Sequence, residues 1–134
     1  MYRILSVIVV LMVPFIWAFT NTEPKTEAEL GKILFFDPIL SKDSTVSCSS
    51  CHKPDLAFAD SLAISPGIEN RIGRRNAPSI MNMASRSEFF YDGRAKDLVD
   101  QIHFPIEDNL EMDAKMTEVV ERLKNHAKYP IWFK

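Results

Sequence analysis

Apolar residues recur at helical spacing in short stretches of the chain, and prolines or turn residues close these stretches. Residues 26–29 form a capping-box pattern, and Leu30, Ile33 and Leu34 give an apolar stripe behind it. This pattern predicts a first helix that ends before Pro38, because a proline disfavours helical geometry in the residue that precedes it.

The second half of the chain shows the same periodicity. Residues 76–78, Asn-Ala-Pro, can open a helix with proline in its first turn. Residues 95–102 are predicted to form a short helix closed by Pro105, and residues 113–124 a longer one with an i, i+3, i+4, i+7 apolar stripe. No stretch alternates with the period of two that a strand requires. The pattern therefore predicts an all-α domain with long loops.

The first twenty residues have a different character. Arg3 precedes an almost wholly apolar run over residues 4–19, which resembles the apolar region of an export signal and is short for a membrane span. Because residues 17–20 make a poor cleavage site, both a cleaved signal and a retained N-terminal anchor remain open for residues 1–20. Residues 21–26 are expected to be a polar linker, and residues 27–134 the folded domain.

Composition narrows the class of protein. The chain has 134 residues with a formal net charge of -2, which suits one small domain and gives no basic surface for nucleic acid. The sequence holds only two cysteines, too few for a disulfide scaffold.

Those two cysteines form the motif Cys48-Ser-Ser-Cys51-His52, the C-x-x-C-H pattern of covalent haem attachment. Two thiols three positions apart on a helical turn can reach the two vinyl groups at one edge of a porphyrin. The adjacent His52 can then ligate the iron as proximal ligand. The sequence therefore predicts one covalent haem c.

Three alternatives to haem remain. A zinc site needs four ligands, and only His103 and His126 are left as histidines outside the motif, at a spacing unlike that of zinc knuckles. A thioredoxin-like redox pair is expected in a βαβ context, which the pattern lacks. A simple disulfide in an exported, haem-free binding module is the third alternative.

The surroundings of the motif resemble a known family. The matching segments occur in order from about residue 30 to the C-terminus, and they are 30–38 (LGKILFFDP), 40–41, 46–52 (VSCSSCH), 57–60 (AFAD), 75–78 (RNAP), 90–98 (FYDGRAKDL), Gln101, Pro105 and 111–112. Together they are similar to the bacterial di-haem cytochrome c peroxidases, which include the MauG-type enzymes.

This resemblance implies a small cytochrome c-like helical domain around one haem, with reduction of hydrogen peroxide to water as its activity. In the family the N-terminal haem reacts with peroxide and a second, C-terminal haem feeds it electrons. The sequence carries one C-x-x-C-H, so the match is to the N-terminal, peroxidatic half. A fragment, a split gene product and a free-standing one-haem domain all remain open.

The resemblance also assigns roles on the distal side of the haem. It places Gln101 and Glu111 there as catalytic residues. A carboxylate can move the proton between the two peroxide oxygens, and an amide can orient the peroxide. Without the family pattern, Glu111 and Gln101 would be taken for surface residues.

Two positions depart from the family pattern. Ile68 falls about where many members have a histidine that blocks the iron, which predicts an open sixth site in the oxidised state. Tyr91 stands where the family often has a tryptophan between the haems, and it is a candidate electron relay. Packing against the porphyrin is the alternative role for Tyr91.

Asn76 occupies the family position that helps to bind calcium between the two halves. One amide oxygen is far short of the six to eight ligands that calcium takes. We therefore expect calcium only together with a second domain, and Asn76 can instead cap a following helix.

The expected partners are hydrogen peroxide and either a small redox protein, of cytochrome c or cupredoxin type, or a second haem domain. The expected location is the periplasm, free or anchored to the inner membrane. The competing function is a one-haem electron carrier, which needs a strong sixth ligand such as methionine. The candidates for that ligand are Met81, Met83, Met112 and Met116.

Overall fold

The computed structural model describes residues 23–134. The expected signal or anchor of residues 1–20 lies outside these residues. Five α-helices occur in this part of the chain: α1 Glu27–Phe36, α2 Cys48–Cys51, α3 Leu98–Glu107, α4 Met116–Lys124 and α5 Tyr129–Trp132. Four short 3-10 turns lie between them, at Pro38–Leu40, Pro54–Leu56, Ile68–Asn70 and Met83–Ser85.

The all-α prediction is confirmed. Residues 23–134 contain no strand, and three isolated backbone bridges join neighbouring parts of the loops. The long stretch from residue 52 to residue 97 holds only three short 3-10 turns. Its loops are nevertheless structured, because backbone hydrogen bonds and ion pairs close them at many points.

The first helix forms as its sequence predicts. The Thr26 hydroxyl accepts a hydrogen bond from the Glu29 backbone N–H at 3.1 Å, so Thr26 caps α1. The Glu29 carboxylate reaches back to the Lys25 N–H at 2.6 Å, one residue beyond the expected capping-box partner. The helix ends at Phe36, directly before Asp37 and Pro38.

The predicted helix over residues 95–102 is shifted in the structure to Leu98–Glu107. Its start is later because Asp97 is the N-cap, with its carboxylate accepting from the Asp100 N–H at 2.7 Å. Its end is also later, since Pro105 lies inside the helix rather than after it. Proline this close to the end removes one N–H donor but leaves the final turn to form.

The predicted helix over residues 113–124 begins three residues later, at Met116. Asp113 has a φ of 49°, in the left-handed region, and cannot belong to a right-handed helix. The Glu107 carboxylate accepts from the Met116 N–H at 3.2 Å and so satisfies one free donor at the helix start.

The helix predicted to open at residues 76–78 is absent, and this prediction was wrong. Residues 76–80 are not helical. The Asn76 amide donates to the Leu62 carbonyl oxygen at 2.7 Å, so it holds two loops together and does not cap a helix.

The core is small. It consists of Leu40, Ile106, Met112, Ala114 and Val119, with Leu34, Ile39, Val46, Met116 and Leu123 packed against it. Polar contacts extend this core at its edges. The Arg122 guanidinium donates to the Ile39 carbonyl at 2.6 Å and also contacts the Ser41 carbonyl. The Tyr129 hydroxyl donates to the Asp37 carboxylate at 2.6 Å, which joins α5 to the end of α1.

Many large apolar side chains stay exposed in the described residues. On α3 they are Leu98, Val99, Ile102 and Phe104, and Leu56, Leu62, Ile64, Ile72 and Met81 extend the set through the loops after Cys51. Large exposed apolar surfaces commonly mark places where a ligand or another protein binds. Within residues 23–134, no helix has both the length and the apolar character to span a membrane.

Candidate haem site

Both cysteines lie on α2, a single helical turn. The His52 N–H donates to the Cys48 carbonyl at 2.9 Å and closes this turn, and the Ser50 hydroxyl accepts from the Ser47 N–H at 3.0 Å at its start. Residues three apart on a helix share one face, so the two thiols lie side by side. Both are free and half-buried, and burial raises the pKa of Cys48 and of Cys51.

The His52 ring is fixed by its surroundings. Its Nδ1 lies 3.0 Å from the Phe58 carbonyl oxygen and 3.1 Å from the Pro78 carbonyl oxygen. Both neighbours are hydrogen-bond acceptors, so they select the tautomer with hydrogen on Nδ1. The lone pair of Nε2 is then available to coordinate a metal. This is the arrangement that a metal-ligating histidine requires, and it fits a haem iron at Nε2.

The loop after His52 presents one of these carbonyls. Ala57 and Phe58 have φ angles of 53° and 56°, both left-handed, which folds the chain back sharply. Lys53 closes the turn from the other side, because its N–H donates to the Ala59 carbonyl at 3.0 Å and its ammonium lies 2.6 Å from the Asp60 carboxylate. The Phe58 carbonyl is thereby directed at the His52 ring.

Asp60 is a site residue that sequence reasoning missed. Its side chain is fully buried, and it accepts hydrogen bonds from the Lys53 ammonium and, at 2.7 Å, from the Ser65 hydroxyl. These hydrogen bonds lower the pKa of Asp60 to about 2. The available signal was the position of an acid and a lysine on either side of the short turn after the haem motif.

Glu111 lines a polar pocket of about 560 Å³. Arginines from two loops face carboxylates from α3 and the following turn across this pocket. Its lining residues are Arg74, Arg75, Asp92, Arg94, Asp100, His103, Phe104, Glu107, Asp108 and Glu111. The pocket brings together residues that are distant in the sequence, since Arg74 and Glu111 lie 37 positions apart.

The environment of Glu111 suits a group that exchanges protons. The residue is open to solvent at the pocket, yet partial burial of its carboxyl raises the pKa, and the nearby Asp108 carboxylate adds to this effect. Arg94 and Arg74 act in the opposite direction. A raised carboxyl pKa moves toward the range in which a group can both give and take a proton.

A continuous series of contacts joins Glu111 to the haem motif. The Cys51 sulfur lies 4.0 Å from the Pro66 carbonyl oxygen, and the next residue, Gly67, packs directly on the backbone of Glu111. The Ile68 N–H then donates to the Glu111 carbonyl at 2.7 Å. The structure thus brings the predicted acid-base residue close to the predicted haem thiol.

Gln101 lies on α3 and is half-buried, and its backbone N–H donates to the Asp97 carbonyl at 3.0 Å. Its side chain is not among those that line the pocket of Glu111. The assignment of Gln101 to the distal side stays a prediction.

Tyr91 is 65% exposed, and its role as an electron relay also stays a prediction. Its neighbour Phe90 has a φ of 65°, an uncommon conformation for a bulky residue. The Arg94 guanidinium lies 3.5 Å from the centre of the Phe90 ring and 5.2 Å from that of Phe104. This stack holds the Phe90 ring beside Phe104.

Asp92 connects two of the matching segments. Its carboxylate accepts from Arg75 at 2.8 Å and from Arg94 at 2.8 Å, and these two hydrogen bonds lower the pKa of Asp92 to about 2. Ile68, which the sequence pattern places about where many family members have a blocking histidine, is 1% exposed. Asn76 uses its amide nitrogen on Leu62, and its suggested part in a calcium site stays a prediction.

The fold and the site define a cytochrome c-like helical domain. A sequence model of the family described as di-haem cytochrome c peroxidase matches residues 25–134. The chain belongs to the di-haem cytochrome c peroxidase family, as its motifs predict.

Individual relatives agree with this membership. The chain is 44% identical over 96 residues to the cytochrome c551 peroxidase of Nitrosomonas europaea, and 42% identical over 105 residues to the methylamine utilization protein MauG of Methylorubrum extorquens. These matches cover 72% and 78% of this chain but only 28% and 30% of the relatives. The chain therefore spans less than a third of their length.

Solved structures give the same result. The diheme peroxidase BthA of Burkholderia thailandensis superposes with a TM-score of 0.72 at 30% identity, over 82% of this chain and 32% of that one. A MauG-like protein associated with microbial copper homeostasis gives a TM-score of 0.71 at 34% identity, over 83% of this chain and 34% of that one.

Proposed function

We propose that this chain is the peroxidatic haem domain of a di-haem peroxidase and reduces hydrogen peroxide to water with electrons from a second haem or a small redox protein. The observation that carries this proposal is the fixed His52 ring, whose Nδ1 is held by two backbone carbonyls at 3.0 and 3.1 Å beside two free thiols. Family membership supports a peroxidase-type oxidoreductase.

The proposed cofactor is one haem c, joined to Cys48 and Cys51 and ligated by His52. Once bound, it would supply the iron at which peroxide reacts. The protein contributes the remaining chemistry. Glu111 takes a proton from one peroxide oxygen and returns it to the other, and its raised pKa supports this exchange because the carboxylate retains the proton more readily.

Of the three arginines of the pocket, Arg74 and Arg94 limit how far the pKa of Glu111 rises. Arg75 and Arg94 are paired with Asp92, and Arg74 is paired with Asp108. Because each arginine already has a carboxylate partner, none of them forms an ion pair with Glu111 that would hold it permanently ionised. Glu111 is therefore left free to change its protonation state.

The expected site of action is the periplasm, which the apolar run of residues 4–19 supports as an export signal or anchor. The one-haem electron carrier remains the competing function. Two of its four candidate methionines are already engaged in packing, because Met112 is buried in the core and Met116 packs against it. Met81 and Met83, in the loop before α3, stay available to that alternative.

The decisive test replaces Glu111 in the haem-loaded protein. Glu111→Gln keeps size and polarity, so haem content and visible spectrum should stay nearly unchanged. The single-turnover rate of the haem with hydrogen peroxide should fall by roughly 10²–10⁴-fold, the usual loss for a general acid-base group. Stopped-flow absorbance measures this rate and does not depend on an electron donor.

Glu118→Gln is the matched control, because Glu118 lies on α4 outside the pocket with its side chain 55% exposed. It should react like the wild type. Gln101→Ala should cost less than Glu111→Gln, since it removes an orienting hydrogen bond but leaves the proton carrier. An unchanged rate in Glu111→Gln would make Glu111 a surface charge. A low-spin His/Met spectrum would instead support the electron carrier.

A further inference from the structure

Gly67 lies at a close approach between two parts of the chain. A Cβ atom built on Gly67 would lie 2.6 Å from the Glu111 carbonyl oxygen and 2.7 Å from the Glu111 Cα, and it would come closer still to the Leu110 carbonyl oxygen. All three are backbone atoms, so no side-chain rotation can relieve the overlap. Any residue larger than glycine must push the two segments apart.

The need for glycine here is purely steric. Gly67 has a φ of −95° and a ψ of −154°, an extended conformation that other residues also adopt. Its neighbours differ in this respect, because Glu69 and Asn70 have φ angles of 54° and 58° without being glycine. The missing Cβ therefore serves the contact with Glu111 and not the shape of the loop.

The same loop is tethered to the same segment at two more points. The Ile68 N–H donates to the Glu111 carbonyl at 2.7 Å, and the Arg71 guanidinium donates to the Asn109 carbonyl at 2.7 Å. The Glu111 N–H in turn donates to the Asp108 carbonyl at 3.0 Å. Both backbone polar groups of Glu111 are thus fixed, and only its side-chain torsions remain free.

We propose that Gly67 is a positioning residue for Glu111: its missing side chain lets residues 66–68 dock on residues 110–111 and so sets where the Glu111 carboxyl enters the pocket. This inference rests on the proposed role of Glu111 in proton transfer. It assigns a function to a residue that touches neither peroxide nor haem. A displacement of about 1 Å can cost on the order of 10²-fold in rate.

The test is a double-mutant cycle on the haem-loaded protein, with single-turnover reaction with peroxide as the measurement. Gly67→Ala should slow this reaction by roughly 10- to 100-fold. In the Glu111→Gln background the same substitution should lower the rate little further, because the carboxyl group that it would displace has already been removed. Gly73→Ala and Gly31→Ala are matched controls, since an added Cβ meets no atom closer than 3.4 Å at Gly73 and none within 4 Å at Gly31.

A second measurement separates positioning from general loosening. Displacement toward water should lower the pKa of Glu111, because burial and the neighbouring Asp108 raise it while Arg74 and Arg94 lower it. The pH profile of the peroxide reaction should therefore shift to lower pH in Gly67→Ala and stay in place in both controls. Hydrogen exchange at the Ile68 amide should also become faster.

The outcomes are distinct. A wild-type rate in Gly67→Ala, or a full repeat of its loss in the Glu111→Gln background, overturns the proposal. If Glu111→Gln itself reacts at the wild-type rate, the proposed function fails and the positioning role fails with it, even where exchange at Ile68 confirms the contact. If Gly67→Ala does not fold, Arg71→Gln replaces it in the double-mutant cycle. This substitution removes the hydrogen bond from Arg71 to the Asn109 carbonyl, and it should slow the peroxide reaction less than Gly67→Ala would.

Discussion

The Lys53 ammonium lies 2.6 Å from the fully buried carboxylate of Asp60. This ion pair closes the loop that carries the Phe58 carbonyl to the His52 ring, and the Ser65 hydroxyl satisfies the second carboxylate oxygen at 2.7 Å. The orientation of the predicted iron ligand therefore depends on a charge pair whose charged groups make no hydrogen bond to the His52 ring. Such a second layer of contacts commonly fixes a metal-ligating histidine.

The Asp60 contacts predict a dependence of stability on acid. The folded-state pKa of Asp60 is about 2, below the ordinary value of 3.8, so its stabilisation is complete above pH 3.8 and is lost as the pH falls through that window. Asp60→Asn should lower the free energy of unfolding at neutral pH, and its difference from the wild type should shrink below about pH 4.

Denaturant unfolding between pH 2 and pH 7 measures this difference, in steps of about one unit across the window in which Asp60 titrates. Asp55→Asn is the control, because Asp55 lies exposed in the neighbouring 3-10 turn. This variant should have the same unfolding free energy as the wild type. A difference between Asp60→Asn and wild type that stays constant down to pH 2 would contradict the assignment.

Haem attachment should depend on all three residues of the motif. Cys48→Ala or Cys51→Ala should weaken or abolish covalent haem after maturation with a c-type assembly system. His52→Ala should lose the iron bond and much of the folded structure. Denaturing gels stained for haem detect the covalent product, and Ser49→Ala, on the same helical turn, should keep it. Absence of stain on the unmodified chain would disprove the haem site.

The sixth position of the iron should be open in the oxidised state. Ile68 offers no ligand atom at the place of the blocking histidine, so the ferric protein should bind cyanide without prior reduction. Absorbance changes on mixing with cyanide report this binding. Slow or absent binding would point to another ligand, and faster binding in His103→Ala would then identify His103, which lines the same pocket as Glu111.

Loss of the Tyr129 hydroxyl should destabilise the fold. Tyr129 is 1% exposed and its hydroxyl donates to Asp37 at 2.6 Å, so Tyr129→Phe should cost about 1–2 kcal/mol of unfolding free energy through the unsatisfied carboxylate. Burial raises the pKa of Tyr129, so this contact should persist at pH values at which an exposed tyrosine ionises. Thermal unfolding measures the cost. Tyr91→Phe is the matched control and should change stability little, because Tyr91 is 65% exposed.

Local patterns predicted the elements that local interactions decide. The capping box at Thr26 and the apolar stripe behind it were enough to predict α1, and the C-x-x-C-H motif was enough to predict the helical turn of α2. The limits of α3 and α4 depended on contacts between elements. Pro105 indicated a helix end that the structure does not have, and Glu107 helps to satisfy the start of the next helix through its side chain.

The candidate site likewise combines features that the local sequence predicts with features that depend on contacts between distant segments. Glu111 could be named from the family pattern, but its closeness to Cys51 depends on Pro66 and Gly67, whose packing no periodicity reveals. The structural role of Asp60 was not predicted, because an acidic residue in a loop is usually a solvated surface charge. Only the folded chain shows that Lys53 and Ser65 bind its carboxylate. The prediction that Asn76 caps a helix was wrong for a related reason, since its amide donates to the carbonyl of Leu62 in another loop and no helix follows it directly.

The exposed apolar side chains of α3 and of the loops after Cys51 bear on how the protein can be produced. While these side chains stay uncovered, they are free to contact other chains, and such contacts lead to aggregation. We therefore expect the yield of soluble protein to depend on whether the proposed haem is attached faster than the chains associate with one another. Expression without the assembly machinery should leave the chain mainly in the insoluble fraction, even where its translation is unimpaired.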